Sequence, residues 1–99
     1  MNVWAIDKDP PLKVLLLELV HRYGENALAL SSQEPHFQTI DLRTRHNNGL
    51  SVYIYTFGQL PGRYGIDLRY PIAAHNSIGE NENLVLDQIL DAIAIHLFS

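Results

Sequence analysis

Residues 37–70 read FQTIDLRTRHNNGLSVYIYTFGQLPGRYGIDLRY and contain three short segments in which apolar and polar residues alternate. Alternation with a period of two puts one set of side chains on each face of a β-strand. The segments at 37–45, 50–57 and 64–70 contain no proline, and glycine-containing turns separate them. This stretch therefore predicts an antiparallel meander of three strands.

The Asn47-Asn48-Gly49 turn sets the expected register between the first two strands. A two-residue loop would put Arg43 opposite Ile54, which mixes a charge into the apolar face. A three-residue loop with a left-handed Gly49 puts Leu42 opposite Ile54 instead. Because a slip of one residue moves every side chain to the other face, the apolar pattern favours the three-residue loop. The pairings that follow are Leu42–Ile54–Ile66 and Thr44–Val52–Leu68 on the apolar face, and Tyr55 opposite Gly65 on the other face.

Two amphipathic helices flank the meander. Asp9 stands before Pro10-Pro11, which is typical of a helix start with Asp9 as the cap. Leucines at helical spacing follow to Tyr23, and Gly24 stands where a helix stop is expected. Residues 83–98 predict a second helix, with its apolar stripe on Leu86, Ile89, Leu90, Ile93 and Leu97.

Short apolar segments at 3–6 and 27–30 are candidate additional strands. The chain of 99 residues then predicts one α+β domain over residues 1–99. Its order is an N-terminal helix, an antiparallel meander of three to five strands and a C-terminal helix. Both helices are expected to pack on the sheet face that carries Ile54 and Ile66.

The composition restricts the compartment and the chemistry. The sequence has no cysteine, which excludes disulfides, thiol nucleophiles and cysteine metal sites and favours the cytoplasm. No targeting segment and no apolar run of about 20 residues is visible, so we expect no membrane association. The net charge of −4 lacks the basic excess that is typical of nucleic-acid binding.

No catalytic, metal or cofactor motif is present. Five histidines occur, but none forms a ligand pair at helical or strand spacing, so we expect no metal and no cofactor. His21 and His96 are expected on helix surfaces. The loop holding His75, Ser77 and Glu80 is the one suggestive site for an enzyme, although Ser77 and Glu80 also read as a helix-capping box.

The sheet face opposite the aliphatic one is the most informative candidate site. It carries three aromatic residues where a solvated sheet more often carries small polar ones, and arginines surround them. The predicted site residues are Arg43, Arg45, Tyr53, Tyr55, Phe57, Arg63, Asp67 and Arg69.

Several interpretations of this face remain open: a solvated sheet, a face covered by a helix, or an interface. The favoured function is a non-enzymatic protein-interaction module, such as an inhibitor, an immunity-type protein or a regulatory partner. Its partner would be an acidic protein or a second copy in a homodimer. The alternative is single-stranded nucleic-acid binding by the same face, which the net charge disfavours, and the third is a small enzyme that uses the residues 75–80 loop.

Overall fold

The computed structural model of the chain describes residues 3, 6–30, 36–45, 50–69 and 82–98. It confirms the α+β class, with both helices on one face of an antiparallel sheet of four strands in the order β1-β2-β3-β4. Among the described residues, no helix is both long and apolar enough to cross a membrane. The elements are α1 (Pro10–Tyr23), a 3₁₀ turn (Glu25–Ala27), β1 (Leu28–Leu30), β2 (Thr39–Thr44), β3 (Ser51–Tyr55), β4 (Gly65–Arg69) and α2 (Leu86–Leu97).

Helix α1 begins and ends where the sequence predicts. Pro10 and Pro11 occupy its first turn, and Gly24 ends it with a φ of 87°. Asp9 is the cap residue, but its carboxylate accepts no hydrogen bond from the helix. The first free amides, those of Leu12 and Lys13, donate to the backbone carbonyl of Asp9 instead. The predicted cap position is therefore right, and the carboxylate is left for another partner.

The predicted register between β3 and β4 is confirmed. The predicted register between β2 and β3 is wrong by two residues. Ile54 pairs with Ile66 as expected, but Ile40 rather than Leu42 lies opposite Ile54. A shift of two residues keeps every side chain on its face, so the alternation cannot distinguish the two pairings. Ile40 lies on the core face in both pairings, and it is 1% exposed. The predicted turn at residues 47–49 lies outside the described residues.

Of the two candidate additional strands, one joins the sheet and the other does not. Leu28–Leu30 forms a strand that pairs with β2, as expected for residues 27–30. Residues 3 and 6 do not join the sheet: the Ile6 amide donates to the Val3 carbonyl across a turn at 3.3 Å. Val3 is nevertheless buried in the core.

The core lies between the helices and the aliphatic sheet face. The two helices start at the same end of the molecule, because the Tyr64 hydroxyl donates to the Pro11 carbonyl at 2.7 Å while Tyr64 also pairs with Leu84. They end together, where the rings of Tyr23 and Phe98 stack at 3.8 Å. The fully buried side chains include the predicted core residues Leu16, Leu42, Ile54, Ile66, Ile89 and Ile93.

His96 is buried, which contradicts the expectation of a surface position. It lies one residue from the end of α2, and only 9% of it is exposed. Its Nε2 atom lies 3.0 Å from the Ser51 carbonyl oxygen and 2.9 Å from that of Arg69. The histidine faces the sheet because these two backbone carbonyls satisfy its ring there. His21 is exposed, as predicted.

Candidate interaction site on the sheet

Three aromatic side chains form a continuous row on the sheet face away from the helices. Two of them belong to β3, and the third lies two residues after the strand ends. We call Tyr53, Tyr55 and Phe57 the aromatic ladder. The ring centroids of Tyr53 and Tyr55 are 6.1 Å apart, and those of Tyr55 and Phe57 are 4.9 Å apart in a stacked arrangement. The His36 ring continues the row at 5.9 Å from Phe57. Period-two alternation along one strand produces this row, because every second residue from 53 to 57 is aromatic.

The middle ring of the ladder lies on bare backbone. Tyr55 pairs with Gly65 on β4, as predicted, and a Cβ atom at Gly65 would overlap the Tyr55 ring. Glycine is therefore required at this position for steric reasons, and the Tyr55 side chain fills the space that it leaves. Only 9% of Tyr55 is exposed, whereas 44% of Phe57 is exposed. The ladder consequently has a fixed centre and an accessible end.

The electrostatic environment of Tyr55 is negative. Its hydroxyl donates to Oε1 of Glu82 at 3.3 Å. Burial, together with the charges of Glu82 and Asp67, raises the pKa of Tyr55 from 10.0 to about 12. The segment that leads into α2 thus contributes an acid to the ladder.

Arg69 is already engaged at the other end of the ladder. Its Nη1 atom lies 3.5 Å from Oδ2 of Asp41. Its guanidinium carbon also lies 4.7 Å from the centroid of the Tyr53 ring, which is within cation–π range. Asp41 and Asp67 flank Tyr53 on the neighbouring strands.

The predicted arginines do not all reach the ladder. Arg43 is exposed, on β2 of the same face, and Arg69 lies over Tyr53. Arg45 instead donates from Nε to the Leu28 carbonyl at 3.2 Å, at the β1 side of the sheet. Arg63 donates to the Asn83 carbonyl at 3.1 Å, beside the start of α2. The face is therefore much less basic than the sequence suggests.

Three groups near the ladder were not predicted as site residues: His36, Asp41 and Glu82. The strand alternation places Asp41 on the ladder face, but its contact with Arg69 depends on the observed β2–β3 register, which the sequence did not predict. His36 and Glu82 come from segments outside the strands, where no periodic signal indicates which side chain returns to the sheet.

A shallow cleft of about 300 Å³ lies at the start of α1. Its lining includes Asp9, Thr56 and Arg63. The Thr56 hydroxyl donates to the Asp9 carboxylate at 2.7 Å, so both polar groups are already engaged with each other. Among its described lining residues, the cleft therefore shows no unsatisfied catalytic pair.

The suggested enzymatic loop at residues 75–80 lies outside the described residues, and its role stays a prediction. Within the described ranges, no three His, Asp or Glu side chains come together as a metal site would require.

No protein-family model, curated protein or solved structure significantly matches this chain. Its function therefore has to be argued from the geometry of the ladder and its surroundings.

Proposed function

We propose that this chain is a non-enzymatic protein-interaction module and that the aromatic ladder is the centre of its contact surface. The observation that carries this proposal is at Phe57, whose ring stacks on Tyr55 while 44% of the residue is exposed. Aromatic and arginine side chains are the residue types most enriched at binding hot spots. Phe57, Tyr53 and the exposed Arg43 supply both types on one face.

The ladder is preorganised for binding. Tyr55 is held between Gly65 and Glu82, and the rings on either side of it contact it directly. Side chains that are already ordered lose little rotamer entropy when a partner covers them. A partner would therefore meet a rigid apolar row with charged groups along its sides.

Single-stranded nucleic-acid binding, the alternative, has less support. Bases stack on free aromatic faces, but Tyr55 is almost fully buried and stacks on Phe57. The acids at positions 41, 67 and 82 surround the ladder and would repel phosphates. The net charge of −4 also disfavours nucleic-acid binding.

We also propose a cytoplasmic location, which the lack of cysteine supports. Fractionation of the cells that naturally contain the chain, followed by immunoblotting, would test this; recovery from a secreted or membrane fraction would contradict it.

Affinity capture with matched variants tests the interaction function. Immobilised wild-type chain is incubated with extract of the source cells, to which the same chain with a different tag is added. We expect the double variant Tyr53→Ala/Phe57→Ala to retain about tenfold less of each specific partner. The control is Val14→Ala/Ile95→Ala, which truncates two side chains that are 50% and 72% exposed on the helices. Equal capture by the wild type and both double variants would contradict the proposal.

A further inference from the structure

In the observed register, the charged side chains of the ladder face lie in two rows that run across the strands and are neighbours on that face. One row across the sheet reads Asp41–Tyr53–Asp67, with an acid on each side of the tyrosine. The next row reads Arg43–Ser51–Arg69, with a base on each side of the serine. The two rows are separated by the row Leu42–Val52–Leu68, whose side chains point to the opposite face.

The charges in these rows are only partly paired within one chain. Among the described residues, the rows contain one ion pair, which joins Arg69 to Asp41 at 3.5 Å. Arg43 is exposed, and Asp67 is half-buried beside Tyr53. One base and one acid of the four therefore remain for a partner.

We propose that the partner of this face is a second copy of the chain, docked face to face about a two-fold axis. The axis crosses the strands at the level of Val52, between the two charged rows. Each strand then lies antiparallel over the same strand of the other copy. Asp41 faces Arg43 of the second copy on β2, and Asp67 faces Arg69 of the second copy on β4. The symmetry generates each contact twice, so four opposite-charge contacts surround a centre formed by Tyr53 and Ser51.

The charge rows distinguish this axis from the other simple arrangements. An axis across the strands at Tyr53 would place Asp41 on Asp41 and Asp67 on Asp67. An axis along β3 would place Asp41 over Asp67 and Arg43 over Arg69. Like charges face each other in both cases, which is unfavourable at an interface. The axis at Val52 alone among these three pairs every charge of the two rows with its opposite.

The dimensions of the face predict how tight this dimer is. Packed sheets lie about 10 Å apart, a gap that an arginine and an aspartate reaching towards each other can span. Four strands spaced by about 4.8 Å and about 17 Å long outline a face of only roughly 300 Å². Stable interfaces bury about 800 Å² per partner. We therefore expect a reversible dimer with a dissociation constant between about 1 and 500 μM.

A pair of complementary variants tests the proposal. Arg43→Glu places a carboxylate against Asp41 of the second copy, and Asp41→Lys places an ammonium group against Arg43 of the second copy. We expect each variant alone to have a dissociation constant about tenfold higher than wild type in sedimentation equilibrium. When the two are mixed, the new carboxylate of one variant meets the new ammonium group of the other, and the second contact is unchanged. We expect the mixture to associate as tightly as wild type or more tightly.

A matched control uses an exposed ion pair on α1. Glu18 and Arg22 pair at 3.1 Å away from the sheet, so Glu18→Lys and Arg22→Glu make the same charge changes elsewhere. These variants should dimerise like wild type, alone and mixed. Circular dichroism of every variant confirms that each is folded before its association is compared.

The inference rests on the proposed function, and the two can fail separately. A wild-type chain that stays monomeric up to about 0.5 mM, or folded variants that do not associate when mixed, overturns the dimer. If the ladder double variant still loses captured proteins in that case, the interaction function stands with a different partner. If neither self-association nor capture depends on the face, both proposals are wrong.

Discussion

The Thr56 hydroxyl donates a 2.7 Å hydrogen bond to the carboxylate of Asp9, which joins the end of the β3 segment to the start of α1. The backbone strengthens the same junction, because the Asp9 amide donates to the Phe37 carbonyl at 3.0 Å. Pro11 has no amide to donate to a cap carboxylate, and the Leu12 amide donates to the Asp9 backbone carbonyl, so the Asp9 side chain is available for the sheet. The residue that begins the helix thus also positions it.

Removing this bond should lower the free energy of unfolding. We expect Thr56→Val to cost about 1–3 kcal/mol, because it leaves a partly buried carboxylate without its donor. Urea denaturation of Thr56→Val, Asp9→Ala and the double variant gives a double-mutant cycle, because alanine has no acceptor for the Thr56 hydroxyl. A coupling energy of about 1 kcal/mol or more supports the bond, whereas additive effects would show that it contributes nothing.

Apolar alternation predicted the layers of this fold well because it reports which face each residue occupies. The β3–β4 register was predicted correctly because Gly58 and Gly62 mark the two ends of the connecting loop, and this loop places Ile54 opposite Ile66. It did not predict the β2–β3 register, because a shift of two residues leaves the faces unchanged. The row of acids beside the row of bases depends on that shift, so it was invisible in the sequence.

The candidate site was predicted in part for a similar reason. Tyr53, Tyr55 and Phe57 lie together because they belong to one strand and its extension. Long side chains are harder to place, since Arg45 and Arg63 reach backbone carbonyls of other segments. Local spacing carries no information about such distant acceptors.

Gly65→Ala should destabilise the chain through a clash with Tyr55 rather than through backbone strain, because Gly65 does not have a positive φ. We expect a loss of about 1–3 kcal/mol in the free energy of unfolding, as overpacking usually costs. In a Tyr55→Ala background the added methyl group meets no ring. The same substitution should then cost less than about 0.5 kcal/mol; an undiminished cost would show that Tyr55 does not require the glycine.

His96→Ala should destabilise the chain by about 1–3 kcal/mol, because two carbonyl oxygens lose the donor that lies near 3 Å from both. Since both partners accept, Nε2 must carry the proton. His21 provides the control, because it is exposed near the end of the other helix, and His21→Ala should change the free energy of unfolding by less than about 0.5 kcal/mol. Equal effects of the two substitutions in chemical denaturation would contradict the buried role of His96.

The free energy of unfolding at alkaline pH should depend on the burial of Tyr55 and on the acids beside it. Burial, Glu82 and Asp67 raise the pKa of Tyr55 to about 12 in the folded chain, against 10.0 for an unperturbed tyrosine. Between these values the folded state keeps a proton that the unfolded state has released, so stability decreases as the pH rises. The contribution is fully present below pH 10 and is lost as the pH passes through about 12.

The variant Tyr55→Phe isolates this effect from the other groups that titrate in the same range. We expect the free energy of unfolding of the wild type to fall more steeply than that of Tyr55→Phe between pH 10 and about 12, measured by urea denaturation at constant ionic strength. Glu82→Gln removes one of the charges that raise the pKa of Tyr55. Its free energy of unfolding should therefore fall with pH less steeply than that of the wild type and more steeply than that of Tyr55→Phe. Parallel curves for the wild type and Tyr55→Phe would show that the Tyr55 hydroxyl is no more shielded in the folded chain than in the unfolded one.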